Sequence, residues 1–306
     1  MASAPLSSFE RRTAVRKFMA AWALAIAASV CVWAWPDVPL PVRDGSLKFA
    51  VIGDNGTGET PQYEVGRQMA AARERFPFEF VIMLGDNLYG RQKPQDFVTK
   101  FEQPYADLLK SAVRFYAALG NHDDAAADRA YKPFNMEGRR YYSFARQNVR
   151  FFVFDSNLMD REQLAWIDGA LAESSEPWKI CYFHHPLYSD AGRHGPDVQL
   201  RVALEPIFVR HGVDVVFSGH EHLYERTTPQ KGITYFIEGS GGQLRQGDIV
   251  PSPTMAAAFD QDQTFMLVEI AGDELFFQAV SRTGKLVDSG AIRRLIATSG
   301  QAADKR

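Results

Sequence analysis

The sequence predicts an α/β fold in which buried sheets are covered by helices and end in antiparallel strands toward the C-terminus. Three observations carry this expectation. Near-continuous apolar runs of strand length recur along the chain, stretches of helical periodicity separate them, and the segment after Gly232 turns to strand-like runs joined by hairpin turns.

The elements follow in order. Lys48–Ile52 runs into Gly53-Asp54, Glu79–Leu84 into Gly85-Asp86, and Phe115–Leu119 into Gly120-Asn121-His122. Trp178–Phe183 runs into His184, and Val213–Phe217 ends just before Gly219-His220. Between them, Val65, Met69, Ala72 and Phe76 recur at helical spacing. Asp160-Arg161-Glu162-Gln163 resembles a capping box ahead of Leu164, Ile167 and Leu171, and Leu200, Leu204, Ile207 and Phe208 share one helical face. Ile233–Ile237, Thr264–Ile270, Glu274–Ser281 and Lys285–Ile292 read as strands, with turns at Gly272-Asp273 and Thr283-Gly284.

The chain of 306 residues, 46% hydrophobic and 23% charged, has ample material for a core. A net charge of −3 argues against a bulk nucleic-acid binder, so an anionic substrate must find positive charge locally. Nothing points to an obligate protein partner. Cys31 and Cys181 are the only cysteines and both lie in apolar runs, so any metal must rest on His, Asp, Asn and Tyr.

The N-terminus points to export. Arg11, Arg12, Arg16 and Lys17 precede an uncharged run from Phe18 to Trp35. As a helix that run would span roughly 27 Å, close to the thickness of the hydrocarbon core. Residues 1–17 thus read as a basic cytoplasmic region, 18–35 as a signal anchor or signal peptide, and 36–46 as a stiff linker. Residues 47–294 read as one folded domain, and the polar tail over 295–306 is expected to be loose. The basic flank stays inside, which places the domain in the periplasm or outside the cell, membrane-anchored or exported. Val32-Trp33-Ala34 offers a cleavage site, whereas the length of the run and the Trp33/Trp35 pair favour an anchor.

The polar residues sit where chemistry would need them. Each of the first apolar strands ends in a turn bearing Asp, Asn or His, and side chains just past the carboxyl ends of strands converge at one edge of an open α/β sheet. Taken singly, Asp54 and Asp86 read as turn aspartates and His185 as a core histidine. His220 and His222 carry more, because alternate residues of an extended segment project to the same side and can ligate neighbouring metals.

Together, GDNG (53–56), GDNLY (85–89), GNHD (120–123), HHP (184–186) and GHEH (219–222) resemble the calcineurin-like metallophosphoesterases. Tyr89, three residues after Asp86, resembles the iron-binding tyrosine of purple acid phosphatases. GDNLY, and HHPLY followed by His194-Gly195-Pro196, are similar to the tartrate-resistant type, while SGHEHLYERT (218–227) is similar to the plant type. The resemblance implies two packed mixed β-sheets flanked by helices, a four-layer sandwich. It also implies two metal ions: one at Asp54, Asp86, Tyr89 and His222, the other at Asp86, Asn121, His184 and His220, with Asp86 bridging. Carboxylate and phenolate oxygens suit Fe(III) at the first position; imidazole and amide suit Fe(II), Zn(II) or Mn(II) at the second.

The implied reaction is hydrolysis of phosphate monoesters by a water deprotonated at the metals and attacking phosphorus in line. His122 and His194 stabilise developing charge and protonate the leaving group in that scheme, and His185 lies behind the ligands. A phosphodiesterase or pyrophosphatase on the same site is the alternative within enzymes. A non-catalytic envelope protein that binds or senses phosphate is the alternative outside them. The loops Gly90–Gln95 and Gln243–Ala258 shape the substrate site without a readable code.

Overall fold

The computed structural model describes residues 38–294. The segment 18–35 read as an anchor and the tail 295–306 lie outside the described residues. Among the described residues, no helix is long and apolar enough to cross a membrane.

The chain begins with three parallel neighbours, β1 (Leu47–Ile52), β2 (Phe80–Met83) and β3 (Arg114–Ala117), with α1 (Thr60–Arg73) between the first two. A second sheet follows. Its strands are β4 (Tyr142–Arg146), β5 (Val149–Val153), β6 (Trp178–Tyr182), β7 (Val215–Ser218), β8 (Tyr224–Thr227), β9 (Thr234–Glu238) and β10 (Met255–Phe259). They are ordered β10-β8-β9-β7-β6-β5-β4, with β5, β6, β7 and β9 parallel and both edges antiparallel. The chain then returns to the first sheet as β11 (Thr264–Ala271), β12 (Glu274–Ser281) and β13 (Leu286–Arg293), an antiparallel set that pairs with β1. These are the two mixed sheets, and the antiparallel C-terminal end, that the sequence predicts.

The alternation of side chains across a strand explains the layers. Phe49 and Phe80 of the first sheet meet Phe151 and Phe217 of the second, with Phe49 stacked on Phe80 at 5.3 Å and edge-on to Phe151 at 5.3 Å. All four are buried, each worth about 1.5–3 kcal/mol of transfer free energy. Residues on the opposite face of the second sheet, Phe152 of β5, Cys181 of β6 and Val216 of β7, point the other way. They pack beneath α2 (Arg161–Glu173) and α3 (Val198–His211), through Ile167, Leu171, Leu204 and Phe208. Asp288 of β13 ties the sheets together, accepting from Tyr224 at 2.8 Å and from Arg226 at 2.7 Å, both on β8.

The capping box at Asp160 is half formed. Asp160 accepts from Gln163 N at 2.8 Å, but the Gln163 side chain turns to the loop after β5, where it accepts from Asp155 N and donates to Asp155 O and Leu158 O. Asp155 is buried, and its backbone N–H and carbonyl take the Gln163 amide in place of the reciprocal bond.

Candidate metal centre

The parallel strands set the site. Asp54 follows β1, Asp86 and Tyr89 follow β2, and Asn121 and His122 follow β3; His184 follows β6, and His220 and His222 follow β7. The carboxyl ends of strands from both sheets therefore feed one edge. The turns are sharp: Asp54, Asp86 and His220 all have left-handed backbone (φ 53°, 51° and 70°). Such a conformation is costly for a residue with a side chain and persists where the surrounding structure over-determines it. Two glycines permit the crowding. A Cβ on Gly120 would lie 2.1 Å from Asp86 N, and one on Gly219 would lie 2.4 Å from Asp54 Oδ2.

Two donor clusters result. In the first, the Tyr89 hydroxyl donates to Asp54 Oδ1 at 3.0 Å and lies 3.2 Å from His222 Nε2, which is 3.5 Å from the same oxygen. Donor atoms of Asp54, Asp86 and His222 all fall within 4.8 Å of one another. In the second, Asn121 Oδ1 lies 2.9 Å from His184 Nε2 and 3.0 Å from His220 Nδ1, and those two nitrogens are 3.2 Å apart. Asp86 Oδ1 is 3.5 Å from His184 Nε2, so Asp86 reaches both clusters.

The donor set fits metal ions. His184 Nδ1 donates to Leu84 O at 3.0 Å, which leaves Nε2 as a bare lone pair. That lone pair faces the acceptor oxygen of Asn121 with no hydrogen between them, an arrangement a cation resolves. The electrostatics agree. Burial, reinforced by the Asp86 charge, raises the Asp54 carboxyl well above its usual range. Burial also depresses the imidazoles: His184 well below the usual value, His220 to about 2 and His222 to about 4, with neighbouring imidazoles and Arg245 adding to the effect. Neutral imidazoles are the form that ligates metal. Burial and the two carboxylates raise the Tyr89 hydroxyl as well, so a phenolate there requires a nearby cation.

The other site histidines singled out in the sequence, His122, His194 and His185, lie at this edge too. His122 donates its backbone N–H to Asp86 Oδ1 at 2.9 Å, and its exposed ring packs 5.0 Å from that of Tyr89. His194, also exposed, stacks on His220 at 4.5 Å. His185 binds Ser156 Oγ through Nδ1 at 2.8 Å, with its ring 4.5 Å from that of His220.

Three residues were missed. Asp123 accepts from Gly120 N and Asn87 Nδ2 through Oδ2, and from Leu88 N through Oδ1, tying the turn after β3 to the turn after β2. It stands inside the GNHD motif, which was the available signal. Glu221 is fully buried between His220 and His222. Arg245 donates its backbone N–H to His222 O at 2.9 Å and places Nη2 3.3 Å from His222 Nδ1, and nothing in its local sequence marks it.

Two packed mixed sheets with a cluster of Asp, Asn, Tyr and His at their shared carboxyl edge define a metal-dependent phosphoesterase. The calcineurin-like phosphoesterase family matches residues 47–224, and the chain belongs to that family, which implies a dinuclear metal centre. The chain is 28% identical over 262 residues to purple acid phosphatase 17 of Arabidopsis thaliana, covering 73% of this chain and 77% of that one. It is also 28% identical over 247 residues to tartrate-resistant acid phosphatase type 5 of Oryctolagus cuniculus, covering 66% and 76%. In fold it is similar to a purple acid phosphatase from yellow lupin (Lupinus luteus) seeds, with a TM-score of 0.66 at 20% identity over 84% of this chain and 55% of that one.

Proposed function

We propose that this phosphoesterase hydrolyses phosphate monoesters at a dinuclear centre. Asp54, Asp86, Tyr89 and His222 hold one cation in this reading, and Asp86, Asn121, His184 and His220 hold the other. The observation that carries it is the position of Asp86, a buried carboxylate within reach of both donor clusters. Hard carboxylate and phenolate oxygens favour Fe(III) at the first position, and imidazole with amide favours Fe(II), Zn(II) or Mn(II) at the second. Such a pair supplies positive charge for the phosphoryl oxygens and an acidified water as nucleophile.

The chain's own groups supply the rest. The His122 backbone N–H and the Leu84 carbonyl orient Asp86 and His184 respectively. Ligation through His222 Nε2 needs the ring proton on Nδ1, so the Arg245 guanidinium must swing toward Glu221 and Asp248, which already hold its Nη1. The exposed rings of His122 and His194 flank the centre from the solvent side, where a substrate enters. There they stabilise charge on the phosphoryl group and protonate the departing oxygen.

The direct test compares phosphate release from 4-nitrophenyl phosphate and from bis(4-nitrophenyl) phosphate by purified, metal-replete protein. The monoester should be the faster substrate. Preference for the diester would favour the phosphodiesterase alternative, and no turnover of either would favour a binding protein.

Tyr89 decides the subfamily. A ferric–phenolate pair gives a visible charge-transfer band, so the oxidised iron-loaded protein should be violet to pink. Tyr89→Phe removes only the oxygen; colour should vanish while the fold and the second cation survive. A colourless wild type, or a band that persists in the variant, would remove the purple reading and leave the other ligands untouched.

The N-terminal basic flank and uncharged run support a further part of the proposal, that the domain sits on the outer side of a membrane. Full-length protein should pellet with membranes and resist high-salt washing. A soluble product beginning near Trp35 would instead identify a cleaved signal.

A further inference from the structure

Glu221 stands between two of the proposed ligands and does not itself face the donor clusters. Its side chain is fully buried. Oε1 accepts the Gly195 N–H at 2.8 Å, while Oε2 lies 3.5 Å from His194 Nδ1 and accepts from Arg245 Nη1 at 3.3 Å. Arg245 also donates to Asp248 at 3.4 Å and, through its backbone, to His222 O at 2.9 Å. Three segments therefore meet on one carboxylate: the turn after β7, the loop around His194, and the loop after β9. A buried carboxylate is costly unless paired, and every partner here comes from those two loops. Losing Glu221 would free them.

We propose that Glu221 is a positioning residue for the reaction: its carboxylate fixes the His194 imidazole beside His220 as proton donor to the leaving group. The inference rests on the phosphomonoesterase reading and goes beyond it. With Nδ1 turned to Glu221 Oε2 at 3.5 Å, Nε2 is the ring nitrogen left to donate to the leaving group. As water adds to phosphorus, the bond from phosphorus to the ester oxygen breaks and its electron pair stays on that oxygen. The oxygen takes the Nε2 proton and leaves as the alcohol, and the proton shed by the attacking water restores the pair. Arg245, held by the same carboxylate, keeps the neighbouring loop from displacing the ring.

The test uses two leaving groups and one readout free of turnover. 2,4-Dinitrophenyl phosphate departs without a proton; phenyl phosphate needs one. Glu221→Gln should lose about 10- to 100-fold in kcat on phenyl phosphate and less than about threefold on the dinitrophenyl ester, at unchanged metal content. Glu221→Asp should recover part of the loss. Combining Glu221→Gln with His194→Ala should be no worse than His194→Ala alone. In the metal-free protein, Glu221→Ala should accelerate hydrogen exchange of the Gly195 amide by about tenfold or more, the worth of a bond to a charged acceptor. Equal losses on both esters, additive losses in the double variant, loss of metal, or unchanged exchange would each overturn the positioning role. A wild type inactive on both esters would instead sink the monoesterase reading, with the exchange result still deciding whether Glu221 holds the loop.

Discussion

Asp86→Ala is expected to leave a folded protein that binds neither cation and has lost turnover by several orders of magnitude. Asp86 Oδ1 lies 3.5 Å from His184 Nε2, and its donor atoms fall within 4.8 Å of those of Asp54 and His222. Without a shared anion, two cations at this separation repel each other across a buried, low-dielectric site. The fold should survive because Asp86 burdens it electrostatically: its charge is the second cause, after burial, of the raised Asp54 carboxyl. Alanine relieves that burden but gives up the bond from the His122 N–H, so the metal-free variant should still fold and melt cooperatively, near the metal-free wild type. Metal analysis, phosphate release and a thermal melt together check the claim. Retained metal with near-normal hydrolysis would contradict the assignment of Asp86.

Gly120→Ala should have an effect nearly as large without touching a ligand. Its new Cβ would lie 2.1 Å from Asp86 N and 2.2 Å from Asp86 Oδ1, contacts with backbone and with the Asp86 carboxylate itself. The backbone at Gly120 is not left-handed, so the penalty is steric and falls on the Asp86 turn. Overpacking of this kind costs about 1–3 kcal/mol, and a displacement near 1 Å at a reacting centre costs about 10²-fold in rate. Gly169, an exposed glycine of α2 whose added Cβ meets nothing within 4 Å, is the control. Gly169→Ala should stabilise the protein by about 0.5–1 kcal/mol with unchanged kcat/KM. Equal activity in the two alanine variants would mean that the Gly120 approach does not hold Asp86 in place.

The residues that gather at the centre were legible because each stands just past an apolar run, and strand ends in an α/β sheet converge by construction. The Gly272-Asp273 and Thr283-Gly284 turns were legible from local turn chemistry, and they separate β11, β12 and β13 as expected. The strands that escaped have weaker signals. β4 is an edge strand with only Tyr142 fully buried, so its sequence shows little alternation. β5, Val149–Val153, carries Arg150 among its apolar residues, and the turn after it, Asp155-Ser156-Asn157, holds neither glycine nor histidine. β10 is Met-Ala-Ala-Ala-Phe, in which alanine favours helix, and only pairing with β8 makes it a strand. β8, Tyr224–Thr227, is four residues long with Glu225 and Arg226 at its centre, so it shows no apolar run.

Arg245 and Glu221 could not be assigned from sequence for a different reason. Arg245 reaches His222 from a loop whose Gly-Gly and Gly-Asp turn signals do not say which side chain it delivers, and Glu221 gains its meaning only when Gly195 and Arg245 arrive from separate loops. Local patterns report where the chain turns. They do not report which distant side chain fills the space left beside the turn.

The central claim is a catalytic centre built from two cations, and metal titration of the metal-free protein against phosphate release from 4-nitrophenyl phosphate tests it most directly. Activity should rise with added metal and level off at two equivalents per chain, with Asp86→Ala flat throughout. A plateau at one equivalent, or phosphate release that does not depend on added metal, would contradict the account.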